Sequence, residues 1–418
     1  MGGGLLQLVA YGAQDAYLSG NPQITFWRGL FKRHTNFAME PFRVNLNGQA
    51  AWGTKSSAIL GRHADLIGPT YVEMVFPKKP SGSNHNSWAD MISANAIKYV
   101  ELDIGGQIID RQYSEFMFIW YTLTLNYLQN NNLIKLITAG EQPENCVNGQ
   151  DTSTEPAYVP LNFFFCRNPG AALPLIALQY HEVKINILWN KPECLLNSDD
   201  DTPLSLVPEL AQANLVVDYI YLDVEERRRM AQESHEYLIE QLQFNESKGL
   251  SSFNNRVDLT FNHPVKELIW VTQQTGKSQC RYSYYDNNDV LVPSPHNLAG
   301  SMYDYDNVID KCLIQLNGQE RMGVQNGKYF STVQPYQHHT GLAKSGVYMY
   351  SFAIKPEEHQ PSGTCNFSRI DTATLVFNIK GNAHLKPDND ETIDIRVYAI
   401  NYNILRVMSG MGGLAYSN

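Results

Sequence analysis

Glu101-Leu-Asp-Ile-Gly-Gly-Gln107 and Leu313-Ile-Gln-Leu-Asn-Gly-Gln319 are the same turn set twice between apolar runs, and reading them as a repeat decides the fold. Three further echoes flank the turns in the same order. Phe37-Ala-Met-Glu40, leading into Phe42-Arg-Val-Asn-Leu46, answers to Tyr237-Leu-Ile-Glu240 leading into Leu242-Gln-Phe244. His181-Glu-Val-Lys-Ile-Asn-Ile187 answers to Ala373-Thr-Leu-Val-Phe-Asn-Ile379, and Val217-Asp-Tyr-Ile-Tyr221 to Arg396-Val-Tyr-Ala-Ile400. One short apolar run matches another by chance. Four in one order indicate a duplicated β-rich unit, and an internal repeat governs the whole fold assignment.

Length and composition agree with two units. A chain of 418 residues is long for one core and comfortable for two domains of roughly 200 each. At 43% hydrophobic and 18% charged it is globular, and its 24 Tyr, 17 Phe and 6 Trp favour strands. A net charge of −10 argues against wrapping nucleic acid, which needs Lys and Arg to displace counterions. Met1-Gly-Gly-Gly4 has neither a basic n-region nor an apolar h-region, so the expectation is synthesis and folding in the cytosol. Gly2 is not followed by the Ser or Thr of a myristoylation signal, since Leu6 stands there. The apolar stretch 116–128 is broken by Thr122, Thr124 and Asn126 and is too short for a bilayer. Six scattered cysteines without a CxxC pair read as reduced thiols.

Residues 1–35 read as a Gly-, Gln- and Asn-rich arm. Residues 36–223 read as a first sandwich, 224–234 as a charged linker helix, and 235–418 as a second sandwich. Strand patterns fall at 43–47, 57–60, 70–76, 97–104, 159–165, 183–189 and 215–224. In the second half they fall at 238–244, 256–261, 267–272, 312–316, 347–354, 374–379 and 392–407. One long helix is expected over 113–138, with Phe116, Trp120, Leu123, Tyr127 and Ile134 near helical spacing. The second half is expected to lack it. The Gly-Gln turns at 106 and 318 lie farther apart than the Asn-Ile pairs at 186 and 378, so about twenty extra residues fall there in the first copy. The polar connection 273–307 is a candidate contact surface. The class is therefore all-β: two tandem eight-stranded sandwiches of the jelly-roll type, a double jelly roll with short helices in its connections. An immunoglobulin-like pair would have about seven strands in roughly 100 residues per half, and these halves are longer.

Leu6-Gln-Leu-Val-Ala-Tyr-Gly-Ala-Gln-Asp-Ala-Tyr-Leu-Ser-Gly-Asn-Pro-Gln-Ile-Thr-Phe26 resembles the N-terminal arm of major capsid proteins from nucleocytoplasmic large DNA viruses. The resemblance continues through Arg33-His-Thr-Asn-Phe37, Pro160-Leu-Asn-Phe-Phe-Phe165, Leu173-Pro-Leu-Ile-Ala-Leu-Gln-Tyr-His-Glu-Val183 and His235-Glu-Tyr-Leu-Ile-Glu-Gln241. It runs on through Phe261-Asn-His-Pro264, Gln360-Pro-Ser-Gly-Thr-Cys-Asn-Phe-Ser-Arg-Ile-Asp371 and Met408-Ser-Gly-Met-Gly-Gly-Leu-Ala-Tyr416, and is nearest the phycodnavirus (chlorella virus) branch. It implies a double jelly roll, a homotrimeric capsomer, and an icosahedral virion shell around a double-stranded DNA genome. The implied partners are neighbouring capsomers and minor capsid, cement and penton proteins. The resemblance also implies an internal membrane nearby without insertion; no direct nucleic-acid binding is expected, and covalent glycans are candidate decorations. The connections 77–87 and 190–207 are short beside those of larger members.

No chemistry-bearing constellation competes, so no catalytic residue, cofactor or metal is assigned. There is no His-x-His. His338-His339 are adjacent, and on a strand would face opposite ways. His235-Glu236 opens like a zinc-protease motif, but Glu240 replaces the second His. No nucleophile elbow occurs, Cys365 has no identifiable base, and Gly327-Lys328 lacks phosphate-loop spacing. Asp199-Asp-Asp201 and Asp388-Asn-Asp390 read as solvated turns. Arg227-Arg-Arg229 reads as a salt-bridged helix face with Glu225 and Glu226. Asn245-Glu-Ser247 and Asn366-Phe-Ser368 are the glycosylation sequons, with Asn245 and Asn366 as acceptors. Tyr17, Phe26 and Trp27 are the assembly-contact candidates, large apolar groups on or beside a polar arm; packing within their own subunit is the other reading. The rival functions are a carbohydrate-binding or host-attachment protein, separable by glycan binding, and a cupin-like enzyme, separable by metal content.

Overall fold

The computed structural model describes residues 3–29, 31–48, 50–76, 87–88, 92–137, 156–191, 195–197, 210, 212–275, 308–341, 346–380 and 392–417. The chain forms two compact units, 1–37 and 38–418. In the first, a helix Gly3–Val9, a 3-10 turn Ala13–Asp15 and a helix Ala16–Ser19 follow one another. The Asp15 carboxylate accepts from the Gly12 N–H at 2.8 Å.

The second unit holds the duplicated architecture. In the first half the strands are β1 Phe37–Asn45, β2 Lys55–Ile59, β3 Leu66–Val75, β4 Ile97–Ile104, β5 Gln107–Tyr113, β6 Ala157–Pro160, β7 Val183–Trp189 and β8 Gln212–Leu222. In the second they are β9 His235–Leu250, β10 Asn254–Asp258, β11 Pro264–Gln274, β12 Ile309–Leu316, β13 Gln319–Glu320, β14 Val347–Ser351, β15 Ala373–Ile379 and β16 Ile393–Met408. The first half pairs as β1-β8-β3-β6 and β2-β7-β4-β5. The second pairs as β9-β16-β11-β14 and β10-β15-β12-β13. The order is the same eight strands later, which makes each half a jelly roll. Antiparallel pairing also makes the β3–β4, β5–β6 and β7–β8 connections leave one end of the first sandwich, and their counterparts likewise in the second.

Turn chemistry explains the opening repeat. Ile104 pairs with Gln107 across Gly105 (φ 62°) and Gly106 (φ 88°), and Leu316 pairs with Gln319 across Asn317 (φ 52°) and Gly318 (φ 75°). Two successive positive φ values make a type I′ turn, whose twist matches the strands it joins, and Gly-Gly and Asn-Gly reach it most easily. The turn at 106 therefore requires β5 and the turn at 318 requires β13, neither of which was among the expected strands. The echo at β8 and β16 is one residue out of step. Leu215, Val217 and Tyr219 face the first core, whereas Ile395, Val397 and Ala399 face the second. Val217 thus corresponds to Val397, and Arg396 points outward; a slip of one residue exchanges the two faces of a strand.

Three other expectations change. The single helix over 113–138 is two: α1 Ser114–Thr124 and α2 Tyr127–Ile137. Asn126 breaks it by capping α2, accepting from the Gln129 N–H at 2.9 Å while Gln129 accepts from Asn126 at 3.2 Å. Residues 159–165 are not all strand, because β6 ends at Pro160 and Phe164–Arg167 is helical. The second half does carry a helical segment in the matching place, Tyr329–Val333 running into Gln334–His338. Most of the 273–307 connection lies outside the described residues, as do Asp199–Asp201, Asp388–Asp390 and most of 77–87 and 190–207.

Candidate assembly surface

The second sandwich uses both faces of its β9-β16-β11-β14 sheet. Inward, Trp270, Val397 and Ala399 join Tyr348, Phe330 and Phe377 in a core of their own. Outward, Ile269, Val271, Val347, Met349, Tyr398 and Ile400 join the core that also fills the first sandwich. The two sandwiches are thus cemented by continuous apolar packing, which is why β16 reads as an almost unbroken buried run rather than an alternation.

Polar contacts fix the register of this junction. The Leu242 N–H of β9 donates to Asp110 of β5 at 3.0 Å, and the Gln241 side chain donates to the Ile109 carbonyl. Arg396 grips Glu115 at the start of α1 with two bonds of 2.7 Å, and the Tyr398 hydroxyl donates to the same carboxylate. At the far end of α1, the Gly341 N–H donates to the Leu123 carbonyl at 2.7 Å and the Thr340 hydroxyl to the Thr124 carbonyl at 2.8 Å. A hairpin at Met408–Leu414 closes the other side, its Gly410 carbonyl accepting from the Tyr180 N–H at 2.9 Å. Bidentate Arg–carboxylate bonds are strong and directional, so the junction is rigid in rotation as well as in contact.

Two buried charge clusters sit beside it. Lys266 is fully buried, donating to Glu240 at 2.7 Å and to the Pro356 carbonyl at 2.6 Å, with the Trp120 ring beneath its ammonium at 5.4 Å. Arg167 reaches Glu240 from the first half at 2.7 Å. Burial pulls the Lys266 amine down; burial alone would raise Glu240, but Lys266 and Arg167 hold its carboxyl below the ordinary range. His339 lies between Glu267 (3.0 Å) and Glu357 (2.9 Å). Both partners are carboxylates, so both ring nitrogens donate and the ring is an imidazolium. Burial opposes that charge, but the two glutamates outweigh it and push the imidazole up to about 9. Asp110 is the opposite case, raised by burial to about 6 despite its hydrogen bonds.

The candidate residues fall as follows. Tyr17, Phe26 and Trp27 belong to the 1–37 unit and are all exposed. Asn245 lies on β9 with its amide N–H donating to the Asp258 carbonyl at 2.8 Å. Asn366 is exposed, and its side-chain oxygen caps the turn Phe367–Arg369 through the Ser368 N–H. His235 donates from Nε2 to the Met230 carbonyl at 2.8 Å, and Glu240 belongs to the Lys266 cluster, far from any metal-like role. Cys365 has its thiol raised by burial. Arg227 and Arg229 do form ion pairs, but with Asp65 and Glu233 rather than Glu225 and Glu226. Among the described residues no three His, Cys, Asp or Glu side chains converge on a metal-sized site. Sequence reasoning weighed His339 only beside His338, as a metal ligand, and missed Lys266 and Glu267. Their one visible signal is a Lys-Glu pair set inside an otherwise apolar strand.

Family models agree with this two-part architecture. Residues 25–223 match the model described as major capsid protein N-terminus, and residues 226–413 match the large eukaryotic DNA virus major capsid protein. The chain is 43% identical over its full length to the whole major capsid protein of Pyramimonas orientalis virus, and 40% identical to that of Paramecium bursaria Chlorella virus 1, again over the whole of both chains. It belongs to the major capsid proteins of large eukaryotic DNA viruses. Among solved structures, this capsid protein superimposes on the PBCV-1 capsid chain with a TM-score of 0.78 at 35% identity, covering 94% of this chain and 100% of that one. The Faustovirus major capsid protein shares the fold at 11% identity and a TM-score of 0.71. The double jelly roll is thus the family's fold, and the chain is a structural component of the virion's outer capsid shell rather than an enzyme.

Proposed function

We propose that this capsid protein assembles as a homotrimer whose six similar sandwiches make a pseudo-hexagonal capsomer, and that such capsomers tile an icosahedral shell around a double-stranded DNA genome. One observation carries the reading: two jelly rolls of identical strand order are held rigidly side by side in one chain. A threefold axis then generates six near-equivalent walls from one gene, and closed cyclic symmetry is the usual solution for homo-oligomers. The division into 36–223 and 235–418, joined through 224–234, separates those walls.

The arm, 1–35, links neighbours. Tyr17, Phe26 and Trp27 are exposed large apolar groups, and such groups gain most by burial in a contact. Minor capsid, cement and penton proteins, and an internal membrane that the chain does not span, are the surroundings. The net charge of −10 leaves genome contact to other components. Either sequon, Asn245 or Asn366, is a candidate glycan position; Asn366 is the better placed, because its capping bond uses Oδ1 and leaves the acceptor nitrogen out of the cap. Deleting residues 2–25 tests the arm: the body folds, and shell formation is lost. Unchanged shell formation would overturn that role.

A further inference from the structure

The hold of the second sandwich on the far end of α1 runs through one ring. Beyond the helical segment Tyr329–His338, the strap His339-Thr340-Gly341 reaches the first sandwich. There the Gly341 N–H donates to the Leu123 carbonyl at 2.7 Å. The Thr340 hydroxyl shares its proton between the Thr124 carbonyl at 2.8 Å and Glu357 at 3.0 Å. The last turn of a helix leaves carbonyls without partners, so α1 takes its cap from the other half of the chain. Glu357 fixes the strap by accepting from the Thr340 N–H and from the His339 ring, both at 2.9 Å. The other ring nitrogen donates to Glu267 of β11 at 3.0 Å. Trp120 of α1 meets the same ring edge to face, with centroids 6.0 Å apart.

We propose that Glu267, His339 and Glu357 form a proton-operated latch, in which loss of one proton from the ring frees the strap 339–341 from α1 while both sandwiches stay folded. A neutral imidazole has one donor nitrogen and one bare lone pair, and here that lone pair would face a carboxylate at hydrogen-bond distance. Glu267 cannot retreat, because its side chain is wholly buried and its Oε1 already lacks a partner among the described residues. Glu357 is the one that can leave, since its side chain is 20% exposed, and Thr340 goes with it. The other charged groups nearby do not replace the proton. Lys266 of β11 and Arg167 are engaged by Glu240, Lys355 pairs with Glu358 at the surface, and the exposed His338 donates to the Ile354 carbonyl. Tyr402 of β16 is a neutral phenol, raised by burial and by Glu240 and Glu267. Burial opposes the charge on His339, but its two glutamates keep the proton in place up to about pH 9. Burial would raise Glu357, but His339 and Thr340 hold its carboxyl below the ordinary range. The latch is therefore closed at neutral pH and opens in alkali.

Hydrogen exchange read by mass spectrometry on the full-length protein tests the latch, at pH 7 and pH 10 with the intrinsic base-catalysed rate divided out. Peptides carrying residues 340–341 should lose about tenfold or more of their protection at pH 10, while those from β7 and β15 keep theirs. In His339→Gln the strap should be as poorly protected at pH 7 as in wild type at pH 10. A second measurement needs no variant of the latch itself. The emission of Trp120, taken as wild type minus Trp120→Phe, should titrate with a midpoint of about 9, because the charged ring against it becomes neutral. Strap protection that is equal at the two pH values, or that falls together with that of β7 and β15, overturns the latch. So does Trp120 emission that stays constant between pH 7 and pH 10.

Discussion

Replacing His339 with Gln should weaken the protein in a pH-dependent way. The ring sits between Glu267 and Glu357 at 3.0 and 2.9 Å with its side chain wholly buried. Its pKa rises from 6.5 to about 9 on folding. A shift of roughly 2.5 units corresponds to about 3 kcal/mol of stability carried by the charged ring. Because the folded pKa is the higher one, that contribution is complete below about pH 6.5 and is lost as the pH rises through about 9. Glu357, held below the ordinary carboxylate range chiefly by His339 against the effect of burial, sets the acid side: its share is lost as the pH falls through its folded pKa. Urea unfolding of wild type and His339→Gln at pH 6 and pH 10 measures the effect. At pH 6 the variant should be less stable by about 3 kcal/mol, since removing one partner strands a buried charge. At pH 10 the two should lie within about 1 kcal/mol, because wild type has lost the same charge. A difference that stays the same at both pH values would refute the imidazolium.

Asp110→Asn should act in the opposite direction. Its raised folded pKa means stability falls as the pH climbs from about 4 to about 6, so the neutral isostere should gain about 1–3 kcal/mol at pH 8 and nothing at pH 3.5. Equal effects at both pH values would contradict this. Gly341→Ala should cost about 1–3 kcal/mol, because its Cβ would lie 2.4 Å from the Thr122 carbonyl oxygen and 2.5 Å from that of Leu123. Gly323→Ala, with open space around it, is the control and should be neutral. If peptide mass spectrometry of virion protein finds sugar on a sequon, it should be on Asn366, since a glycan on Asn245 replaces one of the two amide hydrogens that donate to Asp258 and Thr260.

What the sequence made legible was local. Gly105-Gly106 and Asn317-Gly318 announce tight hairpins because few other residues accept two positive φ values in a row. The alternation in β7, with Val183, Ile185, Ile187 and Trp189 inward, is likewise visible without coordinates. What escaped depended on distant partners. The helical spacing over 113–138 carries on across Leu125-Asn126, and only the reciprocal bonds of Asn126 and Gln129 show where the helix stops. Arg396 and Tyr398 face another sandwich rather than solvent or the core of their own, so their strand lacks the alternation that would have fixed its register. The His339 cluster gathers residues from positions 267, 339 and 357, which no spacing rule connects.

The mass of the purified native protein in solution, measured by light scattering across concentration, tests the central claim most directly. Two look-alike sandwiches per chain around a threefold axis require three times 47.3 kDa. A particle of 47.3 kDa at every concentration would contradict the capsomer.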